Sequence, residues 1–171
     1  NEIDLICVYF ANSQPNRLWK VDIGNHTYRE IVLKSNQIFY KKLAFPVHFA
    51  RGVIKLIRIE KPDVIITAGY ESIGFWQAFI FSLISNIRFI LWSGATLDAI
   101  HIKRGLVNLL RKFIIRNSDA IISYGTRASE MLIAYGAKPN KIFKAYNTVD
   151  TEMFSNKVMK LINIQDLIDR Q

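Results

Sequence analysis

A single cysteine in 171 residues, Cys7, excludes any disulfide within the chain. It sits inside the apolar run Ile3 to Phe10, where a buried structural thiol of a reducing compartment is expected. No apolar run approaches the roughly 20 residues that cross a bilayer; the longest runs from Phe75 to Ile84. Only four prolines and eight glycines occur, with no linker rich in either, which excludes a low-complexity or collagen-like chain. The three histidines, His26, His48 and His101, stand far apart with no cysteine pair nearby, so zinc-type ligand spacing is missing and no metal site is expected. GxGxxG after a strand, GxxxxGKS/T and GxSxG are all absent. Their absence disfavours a self-contained NAD or ATP site and lends no support to a serine-hydrolase triad.

Acidic residues are the minority charge. Lys and Arg total 23 against 14 Asp and Glu, a formal +9 with a pI of about 9.7. That balance points to an anionic partner: nucleic acid, a phosphorylated ligand or the anionic face of a membrane. What is abundant is apolar. Half the residues are hydrophobic and 12% aromatic, which suffices for one domain with a packed core and argues against disorder.

Runs of strand and helix length alternate along the chain. Strands are expected at Leu5–Phe10, Arg29–Leu33, Val64–Ala68, Arg88–Trp92, Ala120–Tyr124 and Ile142–Tyr146. Helices are expected from Pro46 to about Glu60, where proline suits the first turn, from Ser72 to Asn86, from Lys103 to Asn117, and from a Thr126 cap to Gly136. Strands apolar on both faces and separated by helices imply an α/β domain with a doubly wound, mostly parallel Rossmann-like sheet covered by helices on both faces.

Ligands bind such sheets outside the carboxyl ends of the strands. Those ends read Gly69-Tyr70-Glu71-Ser72, Ser93-Gly94-Ala95-Thr96, Gly125-Thr126 and Asn147-Thr148. Taken singly, Ser72 and Thr126 are caps and the glycines are turn formers; together they form one polar edge suited to phosphate or sugar oxygens. An earlier segment, Pro15-Asn16-Arg17-Leu18-Trp19, follows the first strand. There a guanidinium and an indole two residues apart can clamp a sugar phosphate, or the Trp can simply anchor a loop. In the helix from Lys103 to Asn117, Leu106, Val107, Leu109, Leu110, Phe113 and Ile114 make an apolar face. Arg104, Arg111, Lys112 and Arg116 gather on the other, a solvated face or, with Lys41, Lys42, Arg51, Lys55 and Arg58, a basic membrane-facing surface.

From Ser118 to Phe154 the chain resembles the end of the N-terminal domain of family-four retaining glycosyltransferases of the GT-B fold, of bacterial surface-polysaccharide type. The elements carrying the likeness are Ser118-Asp119-Ala120, Gly125, Tyr135-Gly136, Lys141-Ile142, and Asn147-Thr148-Val149-Asp150 with Phe154. "KPDVIITAGYES" and "RFILWSGAT" resemble two further strand-to-loop junctions of that domain, and "PNRLW" an early-loop motif of a bacterial subset. The resemblance implies an acceptor-side domain over residues 1–154, its first strand missing, and a hinge segment over 155–171 leading to an absent donor-binding domain. It implies sugar transfer from a nucleotide-sugar donor to a glycan or lipid-linked acceptor, with no cofactor and no metal, on the cytoplasmic side and peripheral to the membrane. Under it, Arg17, Trp19, Tyr70, Glu71, Ser93 and Gly94 contact the acceptor, and Gly125, Thr126, Asn147 and Asp150 line the cleft and hinge. Glu71 and His101 are the candidate catalytic groups, although the family's histidine position is occupied here by Ser93 and Gly94.

Two other classes fit the composition. A standalone flavodoxin-like binding or regulatory domain would be complete without a second half. A basic nucleic-acid module has the charge, but no helix-turn-helix, RNA-recognition or zinc signature accompanies it, so nucleic acid is not the expected partner.

Overall fold

The computed structural model of the chain describes residues 3–10, 27–33, 35–39, 46–50, 52–100, 102, 104–148, 151–152, 155–156 and 158–159. In chain order the elements are β1 (Ile6–Tyr9), β2 (Arg29–Val32), β3 (Ser35–Phe39), β4 (Pro46–Ala50), α1 (Val53–Glu60), β5 (Val64–Ala68) and α2 (Ile73–Ser85). They continue with β6 (Arg88–Ser93), α3 (Gly105–Asn117), β7 (Ala120–Ser123), α4 (Thr126–Ala134), a 3-10 turn (Pro139–Lys141) and β8 (Ile142–Lys144).

β5, β6, β7 and β8 lie side by side in that order, every pair parallel. Their runs of isoleucine, valine, phenylalanine and leucine suit a pleated, buried surface. Parallel neighbours need a crossover, and α2, α3 and α4 supply the three. β1 pairs with β2, also in parallel, while β3 and β4 form an antiparallel pair. The result is the parallel, Rossmann-like α/β class expected from the alternation of runs.

Side chains alternate across the sheet. Ile65 sits beside Phe89, and Leu91 beside Ile121, on the face that helices cover; Phe89, Leu91 and Ile121 are fully buried there. Phe79 of α2 meets Phe89 at 4.9 Å and Phe113 of α3 at 5.7 Å between ring centroids, so one aromatic cluster ties two helices to the sheet. The opposite face carries Val64, Ile66, Trp92 and Phe143, all substantially exposed.

Polar ties close the amino-terminal edge. Asp119 accepts the Phe89 amide at 2.9 Å and pairs with Arg88, locking the start of β6 to the start of β7. Lys141 donates to the Ser118 carbonyl at 2.9 Å, which adds β8 to the same edge. Ser72 caps α2 by accepting the Gly74 amide at 3.2 Å.

Three local expectations change. Pro46 does not open a helix: 46–50 is a strand laddered to 35–39, and the helix begins at Val53. Gly52 at φ +97° turns the chain between them, a conformation in which glycine carries no Cβ penalty. The residue capping α4 is Gly125, with Thr126 already inside the first turn and making no cap bond. α3 is rotated relative to its expected faces. Arg111, Ile114 and Ile115 are buried, whereas Leu106 is 70% and Leu109 62% exposed, and Phe113 about half. The stripe Arg111, Ile114, Ile115, Ser118 recurs at helical spacing and is the one that packs inward. Arg111 thus leaves the basic surface assigned to it.

Truncation of the two sheet faces should differ in cost. Phe89→Ala is expected to lower stability by about 3–5 kcal/mol, because it opens a cavity in a closed core, and Phe143→Ala by less than about 1 kcal/mol. Urea unfolding monitored by circular dichroism measures both; equal losses would contradict the difference in burial between Phe89 and Phe143.

Candidate active site

The parallel ladder delivers four carboxyl ends to one edge. Successive strands stand about 4.8 Å apart, so Gly69, Gly94, Gly125 and the Ala145–Asn147 segment follow one another along that edge.

At the end of β5, Gly69 adopts φ +105°, and the Glu71 carboxylate folds back over it to accept the Tyr70 amide at 3.0 Å. The Tyr70 carbonyl takes the Trp76 indole N–H at 2.9 Å. Its hydroxyl accepts from Arg111 Nε at 3.0 Å. Tyr70 is therefore turned into the domain, and burial pushes its phenol above the ordinary value, against the opposing pull of Arg111.

Arg111 itself donates to the Ile102 carbonyl at 3.0 Å and to the Tyr135 hydroxyl at 3.4 Å, and its guanidinium lies 5.8 Å and 5.2 Å from the Tyr70 and Tyr135 ring centroids. A buried cation needs this many partners, because desolvation otherwise disfavours it strongly.

At the end of β6, Ser93 is buried with its hydroxyl turned to the Ala95 amide, and Gly94 is exposed. A methyl group at Gly94 would overlap the Tyr124 ring, so glycine is what lets that ring lie against the strand end. Tyr124 meets Trp92 edge to face at 5.8 Å. At the end of β7, Ser123 bonds Ser129 at 2.8 Å and Gly125 opens α4. The Tyr146 ring, 68% exposed, lies beside Gly125, and Lys144 donates to Thr126 Oγ1 at 3.2 Å. Asn147 is exposed.

The structure thus brings Tyr70, Glu71, Ser93, Gly94, Gly125, Thr126 and Asn147 to one edge. Arg17, Trp19, His101 and Asp150 lie outside the described residues. Among the described residues no three His, Cys, Asp or Glu side chains stand close enough to hold a metal. Two features escaped the sequence reading. One is Arg111 as an inward-facing cation. The other is the aromatic rim of Trp92, Tyr124 and Tyr146, whose signal was a Trp or Tyr beside the small or polar residue ending each of three strands: "WSG", "YG" and "YN".

Cys7 is half-buried on β1, opposite Glu30 of β2. Burial and, secondarily, the Glu30 charge push its thiol up, which makes it a poor nucleophile.

Comparison with known proteins adds the following. No curated protein matches the chain. Among solved structures, Anabaena Alr3699/HepE in complex with UDP and glucose is similar at 16% identity and a TM-score of 0.49, over 72% of this chain and 32% of that one. The chain therefore spans about a third of that protein's length. The family model described as Glycosyltransferase Family 4 matches residues 2–153. Matched along nearly its whole length by that model, the chain belongs to glycosyltransferase family 4.

Proposed function

We propose that this chain is the acceptor-side half of a retaining, GT-B-type glycosyltransferase that moves a sugar from a nucleotide-sugar donor to a glycan or lipid-linked glycan of bacterial surface polysaccharide. The observation that carries the reading is the family match over residues 2–153. The polar carboxyl edge supports it, since it is where an open parallel sheet receives a ligand.

On that edge the aromatic rim, with Tyr124 seated over Gly94 and Tyr146 beside Gly125, offers flat apolar faces to the C–H surface of a pyranose. Glu71 accepts hydroxyl protons once its bond to the Tyr70 amide is shared. Arg17 and Trp19 complete the acceptor clamp, and His101 joins Glu71 as a candidate catalytic group. The donor diphosphate is held by a second domain, whose cationic groups and helix amides stabilise the charge developing on the leaving group without a metal ion. The hinge to that domain leaves through Asn147 and Asp150 along residues 155–171.

Assay of the enzyme that contains this chain, over a panel of nucleotide sugars and lipid-linked glycans, tests the reading. Transfer with retained anomeric configuration is expected from the two-domain enzyme and none from the 171 residues alone; robust turnover by the isolated chain, or inversion at the anomeric carbon, would overturn it.

In the same enzyme Arg17→Ala removes a charge-assisted hydrogen bond of about 1.5–3 kcal/mol, a tenfold to hundredfold loss in acceptor kcat/KM. Tyr146→Ala is expected to lower acceptor kcat/KM about tenfold through lost stacking of roughly 1 kcal/mol or more. Donor KM should stay unchanged in both. A donor effect as large as the acceptor effect would move these residues off the acceptor side.

Membrane attachment is part of the proposal, with the contact surface revised. No helix among the described residues is long and apolar enough to cross a membrane. The exposed Leu106, Leu109 and Phe113 of α3, flanked by Arg104 and Arg116, suit insertion at the headgroup boundary of an anionic leaflet. Sedimentation with phosphatidylglycerol vesicles is expected to fall more in Leu106→Ser/Leu109→Ser/Phe113→Ser than in Arg104→Glu/Arg116→Glu. Binding unchanged by the serine triple would leave α3 as ordinary surface.

A further inference from the structure

Arg111 of α3 is a buried cation, 7% exposed, to which sugar transfer at the rim assigns no task. Its neighbours on the inward stripe, Ile114 and Ile115, are fully buried. An apolar side chain of similar length would pack beside them without the cost of desolvating a charge, and a buried ion is weak evidence for stability. What a guanidinium adds is direction. Its N–H groups lie in one plane at fixed angles, so each bond it makes constrains the others.

Three segments meet on it. Nη1 donates to the Ile102 carbonyl at 3.0 Å, in the loop between β6 and α3, and to the Tyr135 hydroxyl at 3.4 Å, at the end of α4. Ile100, two residues before Ile102, is 5% exposed and Tyr135 8%, so both anchors are tied to the core. With Nη1 held in this way, the planar group leaves Nε one direction, and it points at the Tyr70 hydroxyl at 3.0 Å.

Tyr70 passes that constraint to the rim. Its hydroxyl is fixed by Arg111 and its carbonyl by the Trp76 indole N–H at 2.9 Å. Held at both ends, it aims its backbone amide at Glu71 Oε2, 3.0 Å away. Only Gly69, Tyr70 and Glu71 separate β5 from the Ser72 cap of α2, and Gly69 at φ +105° puts no side chain between the carboxylate and the backbone. Glu71 is exposed, and among the described residues the Tyr70 amide is what holds its carboxylate.

We propose that Arg111 is a positioning residue of this site: by pinning the Tyr70 hydroxyl it sets the Tyr70 amide, and through it the Glu71 carboxylate, before an acceptor arrives, an assignment that rests on the acceptor-side reading of Glu71. Arg111 is buried and acts without touching substrate. A carboxylate placed in advance spares the acceptor the cost of ordering it, and a misplacement of about 1 Å is enough to lose much of a rate.

The test uses Arg111→Met and Tyr70→Phe in the enzyme that contains this chain, the second removing only the oxygen that Nε meets. Acceptor kcat/KM is expected to fall about tenfold in each, with donor KM unchanged. That loss is expected to vanish when Glu71→Gln is already present, because both changes then act on one carboxylate. Arg111→Lys keeps the charge but not the fork, and is expected to behave as Arg111→Met. Hydrogen exchange at the Tyr70 amide, followed by mass spectrometry, is expected to quicken about tenfold in the Met and Phe variants. A loss of the same size in the Glu71→Gln background, or an unaltered Tyr70 amide, would make Arg111 part of the framework only and overturn the proposal. Tyr70→Phe carries the comparison alone where Arg111→Met does not fold. A wild-type enzyme that transfers no sugar would count against the sugar-transfer reading, and the Tyr70 amide would then decide by itself whether Arg111 positions Glu71.

Discussion

The shared direction of β5, β6, β7 and β8 is the constraint on which the candidate site rests. An antiparallel neighbour would send alternate strand ends to opposite edges. Because every crossover returns the chain through a helix, Gly69, Gly94, Gly125 and Asn147 arrive at one rim despite their separation in sequence. The same geometry sends Asp119 and Lys141 to the other rim. There the carboxylate takes the Phe89 amide and the ammonium takes the Ser118 carbonyl. The residues that make the chain most recognisable thus include structural ties as well as the edge that meets a ligand.

Arg111 links the layers in a second way. Its guanidinium contacts a tyrosine from the loop after β5, a tyrosine at the end of α4 and a carbonyl ahead of α3. These partners compensate a buried charge, to which no carboxylate is bonded among the described residues, through neutral acceptors and two ring faces. Its consequence is the rotation of α3. Once Arg111 turns inward with Ile114 and Ile115, the leucines of the first two turns face outward, beside arginines that remain at the surface.

Much of the fold was legible because its signals are local. Continuous apolar runs such as Val64 to Thr67 read as buried strands, and Ser72 reads as a cap because its hydroxyl is two residues from the amide it accepts. The 46–50 strand was misread because proline suits a helix start as readily as a strand beginning, and its partner at 35–39 has no strong period of its own. α3 was misread because it has more apolar residues than one face needs. A count of hydrophobic positions then does not say which stripe packs inward, and arginine is normally assigned to water.

The sequence by itself determined the class of the domain, the alternation of strands and helices, the polar character of the strand ends and the membership of its family, since each follows from residue type and spacing along the chain. Only the tertiary structure decided which of those residues share an environment. It placed Tyr124 over Gly94 and Tyr146 beside Gly125, and turned Tyr70 toward Arg111. These are contacts between residues tens of positions apart, set by strand order and helix rotation, and no local propensity encodes either.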